Sequence, residues 1–110
     1  MSRDTMELVQ VITTTETKEQ ASAIAKKLVE EKLCACAQIS GPIESHYWWE
    51  GRMESATEWV ISAKTTLERY PDVEKGIRQI HPYQVPEIIA LPILRVLSDY
   101  AKWLEESLSA

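Results

Sequence analysis

The sequence contains little glycine, no phenylalanine and no long apolar run. Its 110 residues include 3 glycines and 5 prolines, a composition that argues against a low-complexity or disordered chain. No apolar segment approaches the roughly 20 residues that a membrane-spanning helix needs, and no basic run precedes an apolar segment near the N-terminus. We therefore expect one domain over residues 1–110, located in the cytoplasm and not associated with a membrane.

Basic residues are also in the minority. The chain has 12 Lys and Arg against 17 Asp and Glu, a formal net charge of -5. Because nucleic-acid binding depends on clustered basic side chains, we expect no nucleic acid as a partner. The aromatic residues are four Trp and four Tyr, a set favoured on partly buried surfaces and at interfaces.

The motifs of common enzyme classes are missing from the sequence. It has no G-x-S-x-G, no P-loop and no G-x-G-x-x-G. Neither Cys-x-x-Cys nor His-x-x-x-His occurs, so a structural zinc site is not expected. Cys36 with His81 is the only conceivable pair of nucleophile and base, and a buried thiol would be inert. We expect the protein not to be an enzyme.

The two cysteines, Cys34 and Cys36, are separated by a single residue. On a strand they would share one face, and this spacing is unlike the disulfide framework of a secreted domain. We expect reduced thiols. Cys-Ala-Cys-Ala is also an ordinary run of small buried residues, and for both cysteines this interpretation is favoured over a role as ligand.

Residue patterns predict four strands. They are expected at Met6–Thr14, at Leu33–Ile39 with a continuation over Ile43–Trp49, at Met53–Thr66 and at Glu87–Pro92. Gly41-Pro42 interrupts the second strand as a bulge or bend, because proline cannot donate to a ladder. The fourth strand is continuously apolar, and we therefore expect it at the centre of the sheet.

Three helices are predicted from the 3.6-residue period. The first begins with a capping box at Thr17, the second spans Tyr70 to Ile80, and the third is capped by Ser98 or Asp99. Their expected apolar stripes are Ala21, Ile24, Ala25, Leu28 and Val29, then Val73, Ile77 and Ile80, and finally Tyr100, Trp103, Leu104 and Leu108. The order β-α-β-β-α-β plus a helix predicts an α+β, ferredoxin-like fold with two helices on one face of an antiparallel sheet.

The second and third strands should form a long hairpin with a tight turn at Glu50-Gly51. Its arms would reach roughly 45 Å, whereas a compact domain of this length is about 34 Å across. The overhang carries Trp48 and Trp49, and a second copy of the chain is the simplest partner that could bury this exposed surface. We therefore expect an obligate oligomer. Alternation places Ile43, Ser45, Tyr47 and Trp49 on one face of the first arm, and Glu44, His46, Trp48 and Glu50 on the other.

Residues 80–92 form a stiff joint between the second helix and the last strand. Each of its three prolines fixes its own φ and restricts the residue before it. His81, Tyr83 and Glu87 are therefore presented on a nearly fixed backbone, where sites often form. An equally good interpretation is a rigid connector with ordinary polar side chains.

Four ordered motifs resemble the divalent-cation tolerance protein family CutA. They are Leu33-Cys34-Ala35-Cys36-Ala37, Ser45-His46-Tyr47-Trp48-Trp49-Glu50-Gly51, Lys64-Thr65-Thr66 and His81-Pro82-Tyr83-Gln84-Val85-Pro86-Glu87. The resemblance covers nearly the whole chain. It implies a ferredoxin-like homotrimer, similar in architecture to the PII signalling proteins, whose long hairpins pair between subunits. It also implies a role in tolerance to copper and other divalent cations.

The resemblance extends to candidate metal ligands. His81 matches the family histidine before the Pro-Tyr pair, and Cys36 lies at the family's usual cysteine position. Cys34 departs from the pattern, since many relatives have alanine there. Copper accepts imidazole and thiolate, so copper or another divalent cation is the expected ligand. His46 has no counterpart in the family and is interpreted as a surface residue.

A cleft between subunits is the second predicted site. In a trimer similar to PII, the lining candidates are Lys64, Tyr83, Glu87 and Trp49, with His81 beside them. Lys and His would suit a small anionic metabolite, which makes a signalling module the alternative function. A purely structural trimer is the third, with Glu87 paired to Lys64 or Arg52 only to set register.

Overall fold

The computed structural model describes residues 7–109, and the predicted strand start at Met6 lies outside them. Four strands and three helices follow one another along this range. They are β1 Leu8–Thr15, α1 Lys18–Glu30, β2 Cys36–Trp49, β3 Arg52–Thr66, α2 Tyr70–Ile80, β4 Ile88–Pro92 and α3 Ser98–Leu108, with a 3₁₀ turn at Leu67–Arg69 before α2. No helix within residues 7–109 is long and apolar enough to cross a membrane. The predicted order of elements is confirmed.

The four strands form one antiparallel sheet in the order β2-β3-β1-β4. Among the residues that the structure describes, β4 pairs only with β1, so the expectation of a central position for this strand is wrong. Its side chains alternate between half-buried and exposed, and Ile89 and Leu91 keep 42% and 44% of their surface open. A continuous apolar run indicates that both faces of a strand are apolar, which does not require neighbours on both sides.

The main core lies between the sheet and helices α1 and α2. Its buried members are Val9, Val11, Ile24, Leu28, Cys34, Ala63, Val73 and Ile77. The capping box is present: the Thr17 hydroxyl accepts from the Gln20 amide at 3.1 Å, and the Gln20 side chain accepts from the Thr17 amide at 3.2 Å. Val29 and Ile80, the last predicted residue of each stripe, are 40% and 42% exposed. Both lie at helix ends, beyond the edge of the packed interface.

Helix α3 packs at one end of the sheet, on the opposite face. Leu104 and Leu108 pack with Leu8 in a second buried cluster. The next residue on β1, Val9, belongs to the main core, so Leu8 and Val9 point to opposite faces of the sheet. Of the predicted apolar face, Tyr100 and Trp103 remain 37% and 44% exposed. The predicted cap at Ser98 or Asp99 is wrong. The N-cap is Leu97, without a side-chain hydrogen bond, and both polar residues lie within the first turn.

The β2–β3 hairpin carries the chain well beyond its core. The molecule measures 50 × 25 × 22 Å, so the predicted overhang is confirmed. The ladder shifts register between Ser40 and Ile43, where Gly41-Pro42 forms the predicted irregularity. Glu50 and Gly51 close the turn with φ values of 51° and 78°. Two positive φ values in sequence match the right-handed twist of the flanking strands.

Candidate functional site at the base of the hairpin

His81 closes α2 and lies against the end of β1. Its amide donates to the Ile77 carbonyl at 2.9 Å, and Pro82 prevents the helix from continuing. Nε2 lies 2.8 Å from the Thr14 carbonyl oxygen, which can only accept, so Nε2 carries the proton. Nδ1 then accepts from the Tyr83 amide at 3.1 Å. The joint therefore fixes both the ring orientation and the neutral tautomer of His81.

The pKa of His81 is lowered from its ordinary value. Burial disfavours the imidazolium and is the largest cause, although the Thr14 carbonyl and the Glu58 carboxylate act in the opposite direction. The result agrees with the hydrogen-bond pattern, because a second proton on Nδ1 would break its contact with the Tyr83 amide. At neutral pH His81 is an uncharged group.

Tyr83 connects the joint to the hairpin. Its hydroxyl donates to Oε2 of Glu58 at 2.8 Å, and its ring lies 4.8 Å from the His81 ring at an interplanar angle of 60°. Burial, then the hydrogen bond to Glu58 and the charges of Glu58 and Glu16, raise the pKa of Tyr83. The hydroxyl therefore stays protonated and available as a donor, in surroundings that are negatively charged.

Glu58 is the site residue that sequence reasoning missed. It lies on β3 opposite Ile43, directly after the register shift, and only 8% of it is exposed. The two-residue period of β3 places it on the same face as Val60 and Ser62. That alternation was the available signal, but it does not reveal that Tyr83 from a distant segment covers this carboxylate.

The two cysteines do not share one face, contrary to the expectation. Cys34 precedes β2, so strand alternation does not apply to it, and its thiol lies in the main core. Burial, followed by the charge of Cys36, raises the pKa of Cys34 to about 12. Cys36 is half-buried, and its Sγ lies 3.6 Å from the Tyr100 hydroxyl. Both thiols are free in the structure.

The remaining predicted site residues lie apart from this cluster. Lys64 and Trp49 are each about 20 Å from Glu58 along the hairpin, in opposite directions, as six residues at ~3.3 Å require. Lys64 donates to the Gln38 side chain at 2.8 Å, and Trp49 pairs with Arg52 beside the turn. Glu87 is exposed just before β4. The subunit therefore brings together His81, Tyr83 and Glu58, but not Lys64 or Trp49.

Neither ion pair suggested for Glu87 forms within the subunit. Among residues 7–109 the one ion pair of a Lys or Arg side chain is Lys27–Glu31, and a ring nitrogen of His46 bonds to Glu44, so Glu87 pairs with neither Lys64 nor Arg52 there. Over the same residues, no three His, Cys, Asp or Glu side chains gather into a set that could hold a metal ion. His81 and Glu58 supply at most part of a ligand set.

The geometry defines a class of α+β protein: two helices on one face of an antiparallel sheet, a third helix on the other face, and a protruding hairpin with a fixed polar cluster at its base. The family model described as CutA1 divalent ion tolerance protein matches residues 9–107. The chain belongs to this family.

Individual relatives agree with that assignment. The chain is 43% identical over 89 residues to the divalent-cation tolerance protein CutA of Archaeoglobus fulgidus, covering 81% of this chain and 86% of the relative. It is 40% identical to the protein of the same name from Thermus thermophilus, over 88% of this chain and 94% of the relative. The crystal structure of CutA1 from Oryza sativa superposes with a TM-score of 0.91 at 35% identity, covering 96% of each chain. Family membership associates the protein with tolerance to divalent cations.

Proposed function

We propose that the protein binds divalent cations, and copper in particular, at the joint formed by His81, Tyr83 and Glu58. The observation that carries this proposal is the buried Glu58 carboxylate, whose charge and that of Glu16 both act on Tyr83. A negatively charged, partly desolvated site favours a cation, and carboxylate with imidazole is a donor set that divalent transition metals accept. Membership of a divalent-cation tolerance family supports the same conclusion.

The ligands expected from one subunit do not complete a site, because the described residues contain no set of three suitable side chains. We therefore propose that a second copy of the chain contributes to it. His81 is the predicted imidazole ligand, and coordination through Nδ1 requires the hydrogen bond from the Tyr83 amide to give way. Cys36 is the secondary candidate because its thiol is half-buried, whereas Cys34 stays protonated with its pKa near 12.

We infer that the subunit is ferredoxin-like and that the functional form is a homotrimer with an architecture similar to PII proteins. The strand order β2-β3-β1-β4 with two helices on one face supports the first part. The second is supported by β4, which pairs on one side only, and by the exposed apolar side chains of Ile89, Leu91 and Trp49. Light scattering coupled to size exclusion should give three times the chain mass at micromolar concentration. A folded monomer would overturn this inference.

An anionic metabolite in an inter-subunit cleft is the alternative function. Lys64 is the cation that would favour it, and Lys64 lies about 20 Å from the joint, so two subunits would have to bring these groups together. The carboxylates around Tyr83 oppose an anion at the joint itself, which is why we favour a metal. If the role is purely structural, substitutions at the joint should change stability and leave ligand binding unchanged.

We further propose that the protein is not an enzyme and that it is located in the cytoplasm. The Cys36 thiol contacts the Tyr100 hydroxyl, and the two His81 ring nitrogens bond to Thr14 and Tyr83. Cys36 and His81 are the only nucleophile and base that the sequence suggested, and neither contacts the other. Two free thiols in one chain are typical of a reducing compartment.

Calorimetric titration of Cu²⁺ into four proteins tests the metal proposal: wild type, His81→Ala, Glu58→Gln and the matched control Glu68→Gln, which removes an exposed carboxylate on the 3₁₀ turn. We expect binding at a fixed ratio per chain in the wild type and the control, and weaker binding in the two joint variants. Light scattering on each variant establishes that the assembly is intact. Equal binding by all four proteins would overturn the assignment of the site.

A further inference from the structure

The hairpin presents a second group of metal-binding side chains on its other face, away from the joint. Glu44, His46 and Trp48 alternate along one face of β2, and the ladder places Met53 of β3 directly opposite Trp48. His46 is opposite Ser55, which makes Met53 its diagonal neighbour. Diagonal side chains are separated by about 7–8 Å, a gap that long side chains close.

His46 is already oriented as a ligand would be. Its Nε2 lies 2.6 Å from Oε2 of Glu44, and the two side chains are 53% and 79% exposed. Because a carboxylate accepts, Nε2 carries the proton and the lone pair resides on Nδ1. Metal-ligating histidines almost always donate their other ring N–H to such a carboxylate or carbonyl, which fixes the tautomer and makes the ring a better donor.

Met53 and Trp48 complete the group with soft, exposed surfaces. They are 68% and 73% exposed, so neither side chain is held in the core of the subunit. A thioether selects Cu(I) over harder divalent ions, and imidazole also binds copper. An indole face attracts a cation placed above it. Two donors and an aromatic cover are therefore concentrated within a few residues of the hairpin turn.

We propose that this face of the hairpin binds a soft monovalent metal, Cu(I), through Nδ1 of His46 and Sδ of Met53, with the Trp48 ring over the ion. Glu44 is a positioning residue, because it acts through His46. The site shares no residue with the His81 joint and does not depend on the function proposed there.

The alternative occupant of this face is a second copy of the chain. The opposite hairpin face, with Ile43 opposite Glu58, continues the open face of the sheet, whereas the His46 face continues the helix-covered one. Assembly through the open face leaves His46 and Met53 accessible. If subunits instead cover Trp48 and Met53, no metal can reach them.

The first test is a titration of the intact protein with Ag(I), an air-stable probe for Cu(I), followed by NMR of the methionine ε-methyl groups. We expect the Met53 methyl signal, assigned with Met53→Leu, and the His46 ring signals to shift together, with quenching of Trp48 fluorescence. Site-resolved signals remain informative even where a thiol also takes up silver. An unmoved Met53 methyl at excess Ag(I) overturns the proposal.

Competition for Cu(I) against bathocuproine disulfonate gives the second test, in a Cys36→Ser background. Met53→Leu and His46→Gln should abolish the competition, and Glu44→Gln should weaken affinity by about tenfold, as loss of an outer-shell partner does. Ser55→Ala, on the same face, is the matched control and should have no effect. His81→Ala should also leave this binding unchanged, which separates the site from the joint. Unaltered competition in Met53→Leu would contradict the assignment.

Discussion

The Tyr83 hydroxyl donates a 2.8 Å hydrogen bond to the Glu58 carboxylate, and this contact joins the segment after α2 to the base of the hairpin. The two residues are 25 positions apart in sequence. Glu58 is buried, and the pKa of Tyr83 is raised by its own burial and then by this carboxylate, so the donor keeps its proton. The contact fixes the hairpin base relative to the joint.

Tyr83→Phe should destabilise the protein by about 1.5–3 kcal/mol, the range for hydrogen bonds to charged groups. The reason is that the buried Glu58 carboxylate loses its donor while the aromatic ring stays in place. Urea unfolding gives the free energy of unfolding. The matched control is Tyr47→Phe, whose side chain is 43% exposed and should change little. Equal effects from the two variants would contradict a specific role for this hydrogen bond.

Stability should decrease as the pH falls through the titration of His81. Burial lowers the pKa of His81 below its ordinary value of 6.5, so the folded state favours the neutral ring. Stability from this group is fully present above the unfolded-state pKa of about 6.5 and is lost as the pH falls through the lower folded-state pKa. Protonation would also place a hydrogen on Nδ1, where the Tyr83 amide now donates.

Melting temperatures of wild type and His81→Gln between pH 7.5 and pH 5 measure this dependence. We expect the curve for His81→Gln to be flatter than that of wild type. A wild-type slope in His81→Gln would show that other groups are responsible.

Local patterns account for most of the elements that the sequence predicted. The capping box at Thr17, the register shift at Gly41-Pro42 and the turn at Glu50-Gly51 depend on neighbouring residues, and each is found in the structure. Where the prediction failed, the cause was non-local. The edge position of β4 depends on which strand it pairs with, and the surroundings of Cys34 depend on where β2 begins.

The candidate site shows the same division. The prolines predicted a nearly fixed backbone for His81, Tyr83 and Glu87, and the structure places the His81 and Tyr83 rings 4.8 Å apart. Glu58 was not predicted, because its burial results from a contact with a residue far along the chain. Lys64 and Trp49 were grouped with the joint through the expected trimer, and within one subunit they lie far from it. Contacts between distant segments or subunits leave no periodic signal in a single sequence.

Gly41→Ala should destabilise the hairpin base. Gly41 has φ of +148°, and a Cβ there would lie 2.8 Å from Cε3 of Trp59. Backbone strain of this kind costs about 1–3 kcal/mol before the clash is included. Chemical denaturation should show the loss. Gly51→Asn is the control, because that site has φ of +78° but open space around it, and asparagine tolerates such a conformation. A larger effect at Gly51 than at Gly41 would contradict the packing argument.

Cys36 should react with iodoacetamide in the folded protein, whereas Cys34 should not. Cys36 is half-buried, while Cys34 is 1% exposed with its pKa raised to about 12, so almost none of its thiol is ionised at neutral pH. The thiolate is the reactive form, and access is needed as well. Mass spectrometry after short labelling should find one modified residue per chain, and labelling in urea should find two. Modification of Cys34 under native conditions would show that the core opens there or that Cys34 lies elsewhere.

Tyr100→Phe provides a further comparison: it removes the hydroxyl 3.6 Å from Cys36, and should change the labelling rate of Cys36 without exposing Cys34.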